Sequence, residues 1–199
     1  MANRLKKKVS PAPSPEELND DKTEEVTVTQ VVKDERTIKI AGAFSLLTSI
    51  FLFISFTSYL FTWQEDQDKV HQFGIKIFAV SDVVLNNLLG VLGAYTAHIF
   101  MYKGFGIAAY LFCTFFFTLG VNLLFGKKVF SLARNIRYVL VGLTVISMTL
   151  AFISSAASFS WGGAVGELIN AWFVKWIGSV GTGALLLLSI FAFAIWRFN

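Results

Sequence analysis

The chain has 199 residues, of which 55% are apolar, 16% aromatic and only 15% charged, against roughly a quarter charged in a soluble domain. Mean hydropathy is +0.62. This composition excludes a soluble globular domain, and a sole cysteine, Cys113, excludes a disulfide framework.

Charge is unevenly placed. Residues 1–40 carry eight basic and eight acidic side chains, and residues 41–199 carry nine and five. All three prolines lie in the first fifteen residues. Residues 1–36 therefore read as a disordered cytoplasmic tail, with too little apolar surface to form a core. Ser14-Pro15-Glu16-Glu17 has the pattern of a helix start. Arg4 and Lys6 to Lys8 read as part of a solvated tail, with contact to anionic lipid as their other reading.

Charge-free runs follow over 40–64, 83–102, 104–126, 138–166 and 176–196, and about 20 apolar residues suffice to cross a bilayer. The first holds eleven Leu, Ile or Phe between Phe44 and Phe61. At roughly −0.3 to −0.6 kcal/mol each near the bilayer centre, these favour insertion. The run starts too late and is too long for a cleavable secretory signal. The run 83–102 includes Asn86, Asn87, Thr96 and His98, and only Lys103 separates it from the next. It is the weakest candidate for a span.

The excess of Lys and Arg in cytoplasmic loops favours four spans, near 42–63, 104–125, 138–157 and 177–196. Arg36 and Lys39 precede the first. Lys127, Lys128, Arg134 and Arg137 fill the loop 126–137, which has no acid, and Arg197 follows the last span. Four spans put all seven on one side, the cytoplasm, with both termini. The opposite loop, 64–103, holds three lysines against Glu65, Asp66, Asp68 and Asp82, and reads as a connector lying on the membrane. Tyr59, Trp63, Trp161, Trp172, Trp176 and Trp196 fall where an interfacial aromatic belt would sit. The predicted fold is thus an all-α membrane protein: a tail over 1–36, and over 37–199 a four-helix transmembrane domain with two interfacial helices on the outer face.

Those interfacial helices come from an internal repeat. Gly90 and Gly93 align with Gly163 and Gly166 at an offset of 73, Gly104 with Gly178 at 74, and Ala108 with Gly181 at 73. Each unit reads as a helix lying on the outer face, a turn at small residues, then a span. After Gly163, Leu168, Ile169, Trp172, Phe173 and Trp176 share one face, and Glu167, Asn170 and Lys175 favour the other. Gly178 and Gly181 suit the re-entry into the bilayer. Gly162 with Gly166, and Gly181, Gly183 and Ala184, suit close helix approach, because lipid supplies little hydrophobic drive between helices.

Chemistry is sparse. No proposed span carries a central charge, the usual mark of an intramembrane site. Asn122 suits a bond to a neighbouring helix, and Cys113 suits a small apolar filler. His71 and His98 lie far apart in sequence without a third ligand at metal-site spacing. Glu167 and Asp82 read as structural hydrogen-bonding groups. The sequence has no phosphate-binding G-x-x-x-x-G-K-[ST], no G-x-S-x-G elbow and no basic groove with interleaved aromatics. The residues point to an anchor or assembly module, with no enzyme and no cofactor or metal in this chain. A small four-span channel or transporter subunit, or a free membrane scaffold, is the alternative, although a channel needs a polar path through the bundle.

The stretch "NNLLGVLGAYTAHIFMYKGFGIAAYLF" resembles the N-x-x-G-x-x-G-A…G-x-x-A-Y pattern in the membrane region of the FtsK/SpoIIIE DNA translocases. "GGAVGELINAWFVKWIGSVGTGALLLL" resembles that region's second signature, G-G-x-x-G…G-x-x-G-x-x-L-L-L. "FTSYLFTWQEDQDKV" is similar to the end of its first span in the Bacteroidota branch. The resemblance covers about 37–199 and rests on Gly90, Gly93, Gly104, Gly162, Gly163, Gly166, Gly178 and Gly181. It implies the inner-membrane, septum-targeted anchor of a cell-division protein that moves DNA in chromosome segregation. It also implies a homo-oligomer, hexameric like the motor, and contact with other division proteins. ATP, Mg and DNA would be met only by a motor absent from 1–199, so the chain reads as a fragment. Glu167, where a neutral residue is common, and the charged tail depart from the family pattern.

Overall fold

The computed structural model describes residues 34–80 and 83–198. The expected tail, apart from its last three residues, and Asp82 lie outside them. Every regular element described is helical: α1 (Glu35–Phe73), a 3-10 stretch (Gly74–Ala79), α2 (Gly90–Ala97), α3 (Tyr110–Phe125), α4 (Leu132–Ile153) and α5 (Gly163–Phe198). Between α2 and α3 the chain widens into a π-helical stretch (His98–Phe105) and tightens into a 3-10 turn (Gly106–Ala109). Four segments are long and apolar enough to cross a membrane: Glu35–Ala79, Gly90–Phe125, Leu132–Ile153 and Gly163–Phe198.

Boundaries differ from expectation in several places, among them the second span, expected from 104, whose α-helix starts at Tyr110. α1 runs 39 residues, roughly 58 Å at 1.5 Å per residue, about twice the hydrocarbon thickness of a bilayer. Past Trp63, the expected end of the first span, the polar residues through Lys69 permit helix, and no Gly or Pro interrupts before Gly74. The expected connector therefore begins as a continuation of α1, through Phe73. At the other limit, α4 starts earlier than the expected third span and ends at Ile153, so 154–157 leave the helix.

α1 packs on α3 where both are thin. A methyl group added to Gly42 would sit 2.6 Å from the Leu124 backbone nitrogen, and one on Gly120 would sit 2.9 Å from the Gly42 carbonyl oxygen. One and two turns further along α1, Ser45 Oγ donates to Phe116 O (3.0 Å) and Ser49 Oγ to Cys113 O (2.8 Å). Close backbone approach and interhelical hydrogen bonds are what hold helices together where burial from water gives little drive. Beyond this contact lies the main core, Leu52, Phe56, Tyr59, Ala97, Met101, Ala109, Cys113 and Phe159. Tyr59, expected in an aromatic belt, is fully buried. Its hydroxyl meets His98 Nδ1 at 3.1 Å, the polar partner a buried tyrosine requires.

Ala108, Val139 and Leu143 join the entry of α3 to α4. α5 lies along α4, with the Tyr138 and Trp196 rings 4.6 Å apart at one end. On its other side Val180, Leu187, Leu188 and Phe191 are exposed, the apolar face a membrane helix presents to lipid.

Candidate functional site

The two sequence repeats meet each other in space. Gly104 leaves helical geometry (φ −99°, ψ −119°), and the strand of chain through Gly106 lies against residues 161–163. Ile107 N donates to Trp161 O at 3.0 Å. Gly163, at φ 67°, opens α5 here. A methyl group on it would strike the Gly104 carbonyl oxygen and the Gly106 nitrogen, and would sit 2.5 Å from Met101 O. Its sequence counterpart Gly90 opens α2 at φ 61° with nothing near it. Gly93 faces the Asn87 and Leu89 side chains.

The same turn crosses α4. A methyl group on Gly162 would lie 2.6 Å from Ala151 N, and one on Gly166 would lie 2.5 Å from Ser147 O. Ser147, fully buried, donates its hydroxyl to Gly162 O at 2.5 Å. Three passes of backbone thus converge where Gly104, Gly106, Gly162, Gly163 and Gly166 leave room for them.

Gly178 does something different. It breaks α5 in mid-helix (φ 69°, ψ 171°) in open space, with no atom within 4 Å of an added methyl. It redirects the chain from the 163–177 helix into the span. Gly181 faces only the Ile177 side chain of its own helix, and Gly183 touches the Phe152 ring at 3.4 Å. Close packing within this chain therefore sits at the start of α5 rather than at its re-entry. On 163–177, Leu168, Trp172 and Trp176 are exposed while Ile169 and Phe173 are half-buried. Glu167 accepts a hydrogen bond from Ser160 Oγ at 2.5 Å.

At the end of the bundle carrying Glu65 and Asp66, residues 83–89 have no helix of their own. Their backbone and Asn side chains bond to α1 instead, as buried peptide groups require. Asn86 N donates to Asp66 Oδ1 (2.7 Å), Leu88 N to Ser58 Oγ (2.8 Å) and Asn87 Nδ2 to Ser55 O (3.0 Å). Ser55 Oγ in turn donates to Gly93 O at 2.7 Å, and Asn86 Nδ2 donates to Glu65. The two asparagines that weaken 83–102 as a span are the clamp that holds α2 on α1.

Next to this clamp His98 stacks on Tyr102 (centroids 5.0 Å), and His71 comes within 6.4 Å of it. The two histidines, distant in sequence, are neighbours in the fold. Among the described residues no group of three His, Cys, Asp or Glu forms a ligand set around them. Asp66 Oδ2 and His98 Nε2 are buried without a protein partner.

The opposite end gathers the basic residues. Lys39, Arg134, Arg137 and Arg197 lie at the ends of α1, α4 and α5 that converge with the loop 126–131, which holds Lys127 and Lys128, and Arg36 opens α1 there. Lys39 pairs with Glu35 at 2.7 Å. Asn122 does not reach a neighbouring helix. It grips this loop, donating from Nδ2 to Phe130 O (2.7 Å) and accepting at Oδ1 from Phe130 N (2.9 Å).

A bundle of four apolar spans, tied by small residues and, among the described residues, with Asp66 of the clamp as its buried charged group, defines a multi-pass helical membrane domain. Residues 35–198 match the family described as the 4TM region of DNA translocase FtsK/SpoIIIE, and the chain belongs to that family. The resemblance carried by the two glycine motifs is borne out by this match. No curated protein and no solved structure matches the chain.

Proposed function

We propose that this domain is the membrane anchor of a cell-division DNA translocase, which holds an ATP-driven motor at the inner membrane and brings it to the septum. The family match over 35–198 carries this reading. The architecture supports it: Ser45, Ser49, Ser55, Asp66 and Asn87 serve helix contacts and backbone clamps that hold the spans together. Copies of the domain assemble with one another beneath a ring-shaped motor, and DNA, ATP and Mg are met by that motor.

Two measurements test the reading. A fluorescent protein joined to residue 199 should concentrate at the division site of a dividing bacterial host. Uniform labelling of the envelope would remove the targeting role. A Ser131→Cys reporter in the basic loop should react with an impermeant thiol reagent only after the cytoplasmic side is opened, once Cys113, which is buried, has been replaced by Ser as background. Labelling from outside the intact cell would invert the topology and with it the anchor.

A further inference from the structure

A cavity of about 320 Å³ opens at the basic end of the bundle, between the start of α4 and the end of α5. Arg134 and Arg197 both line it, and no carboxylate does. Neither arginine has an ion pair with a described residue. The Arg197 guanidinium lies over the Tyr138 ring, 4.9 Å from its centroid, and 5.6 Å from that of Phe198. Such stacking holds the cation in place by its face and leaves its N–H edges for an anion, the geometry in which arginine recognises phosphate.

Two further features lie in the same wall. Ser131 caps the 22-residue α4 without a hydrogen bond from its side chain. The unpaired N–H groups and positive dipole end of that helix add to the field of the arginines. Asn135, one turn in, has its side-chain oxygen buried without a partner. Asn135 also lines the cavity, so a turn of its amide about χ2, a soft torsion, would present that acceptor to a donor on the occupant. At the rim Phe198 is 85% exposed, beside spans whose apolar faces are open.

We propose that this cavity binds the headgroup of an anionic phospholipid that carries a hydroxyl, phosphatidylglycerol in kind. Its phosphate lies between Arg134 and Arg197, its glycerol hydroxyl donates to Asn135 Oδ1, and its acyl chains run past Phe198 along α5. Basic pockets between helix ends at a membrane surface bind such headgroups. The aromatic rim and the hydroxyl acceptor narrow the choice beyond charge.

Native mass spectrometry of the whole 199-residue chain, released from detergent with defined lipids, tests this. Phosphatidylglycerol should be retained in preference to phosphatidylcholine, and in preference to phosphatidylmethanol, an anion without a headgroup hydroxyl. Arg134→Gln with Arg197→Gln should weaken retention about thirtyfold, as loss of two cation–phosphate contacts implies. Lys127→Gln with Lys128→Gln, on the same end but outside the cavity, should change it little. Asn135→Ala should abolish the preference over phosphatidylmethanol while retaining the preference over phosphatidylcholine. Equal retention of phosphatidylglycerol and phosphatidylcholine by the unaltered chain would overturn the proposal without recourse to any variant. Displacement of the lipid by soluble glycerol 3-phosphate alone would reassign the site to a free phosphate ester, and would overturn the lipid assignment.

Discussion

Gly163→Ala should destabilise the domain well beyond Gly178→Ala, although the two glycines have nearly the same φ, 67° and 69°. At Gly178 an added methyl meets nothing. Only backbone strain is charged to it, about 1–3 kcal/mol for a non-glycine residue in so sparsely populated a conformation. At Gly163 the strain is joined by collision with the backbone of Gly104, Gly106 and Met101. Those atoms are backbone, with Gly106 N–H bonded to Met101 O, not the far end of a flexible side chain, so they yield poorly. Overpacking of this kind costs about 1–3 kcal/mol more. Thermal unfolding of the two variants in the same detergent measures the difference directly. Equal losses would mean that the convergence of the two repeats relaxes freely and has no structural weight.

Asp66→Ala should release the segment 83–89 from α1. The carboxylate is fully buried and takes the Asn86 N–H at 2.7 Å, and a hydrogen bond to a charged group contributes about 1.5–3 kcal/mol. Its removal leaves the Asn86 N–H without that acceptor, and the neighbouring bonds from Leu88 to Ser58 and from Asn87 to Ser55 lose their alignment. Hydrogen exchange at Asn86 to Leu89 should rise by about tenfold or more, while exchange in α3 and α4 stays near its original rate. Asp66→Asn, which retains a carbonyl acceptor, should restore most of the protection. Unchanged exchange in the alanine variant would show that Ser55, Ser58 and Asn87 hold the segment alone.

Hydropathy and glycine spacing made much of this architecture legible. Five charge-free runs are legible because lipid exposure demands a continuous apolar run, and the placement of Lys and Arg reduces them to the four segments that the fold contains. The repeat was legible because Gly90, Gly104, Gly163 and Gly178 mark places where the chain changes direction. The contacts those turns make were not. The alignment pairs Gly104 with Gly178, whereas the fold sets Gly104 against Gly163, since a repeat records similar local geometry and not which copy touches which.

The clamps were harder still to read. Ser45 and Ser49 lie on the same face of α1 as Gly42, Leu52, Phe56 and Tyr59, a three- and four-residue spacing that marks a packed seam. That signal was present, but hydropathy scores serine only as a mild interruption. Asp66 and Asn87 act on backbone atoms 20 and 32 residues away, and side-chain to backbone bonds leave no period in a sequence. The length of α1 was missed for a related reason. Charged residues after Trp63 mark the end of the apolar run, yet they say nothing against helix.

The break at Gly178 separates α5 into two mechanical parts. Residues 179–198 form one uninterrupted rod, and a pull applied at Arg197 would stretch it along its axis, where a helix is stiff. At Gly178 the direction changes, and an added methyl there would meet nothing. Tension would reach the rest of the domain by two routes: through the packing of the rod on α4, at Tyr138 with Trp196 and Phe152 with Gly183, and through the short arm 163–177, held at its far end where Gly162 O accepts from Ser147 Oγ and Trp161 O from Ile107 N. On the second route the corner is the compliant joint and the glycine convergence the rivet, so the arm 163–177 can turn at one residue while the rod keeps its seat on α4.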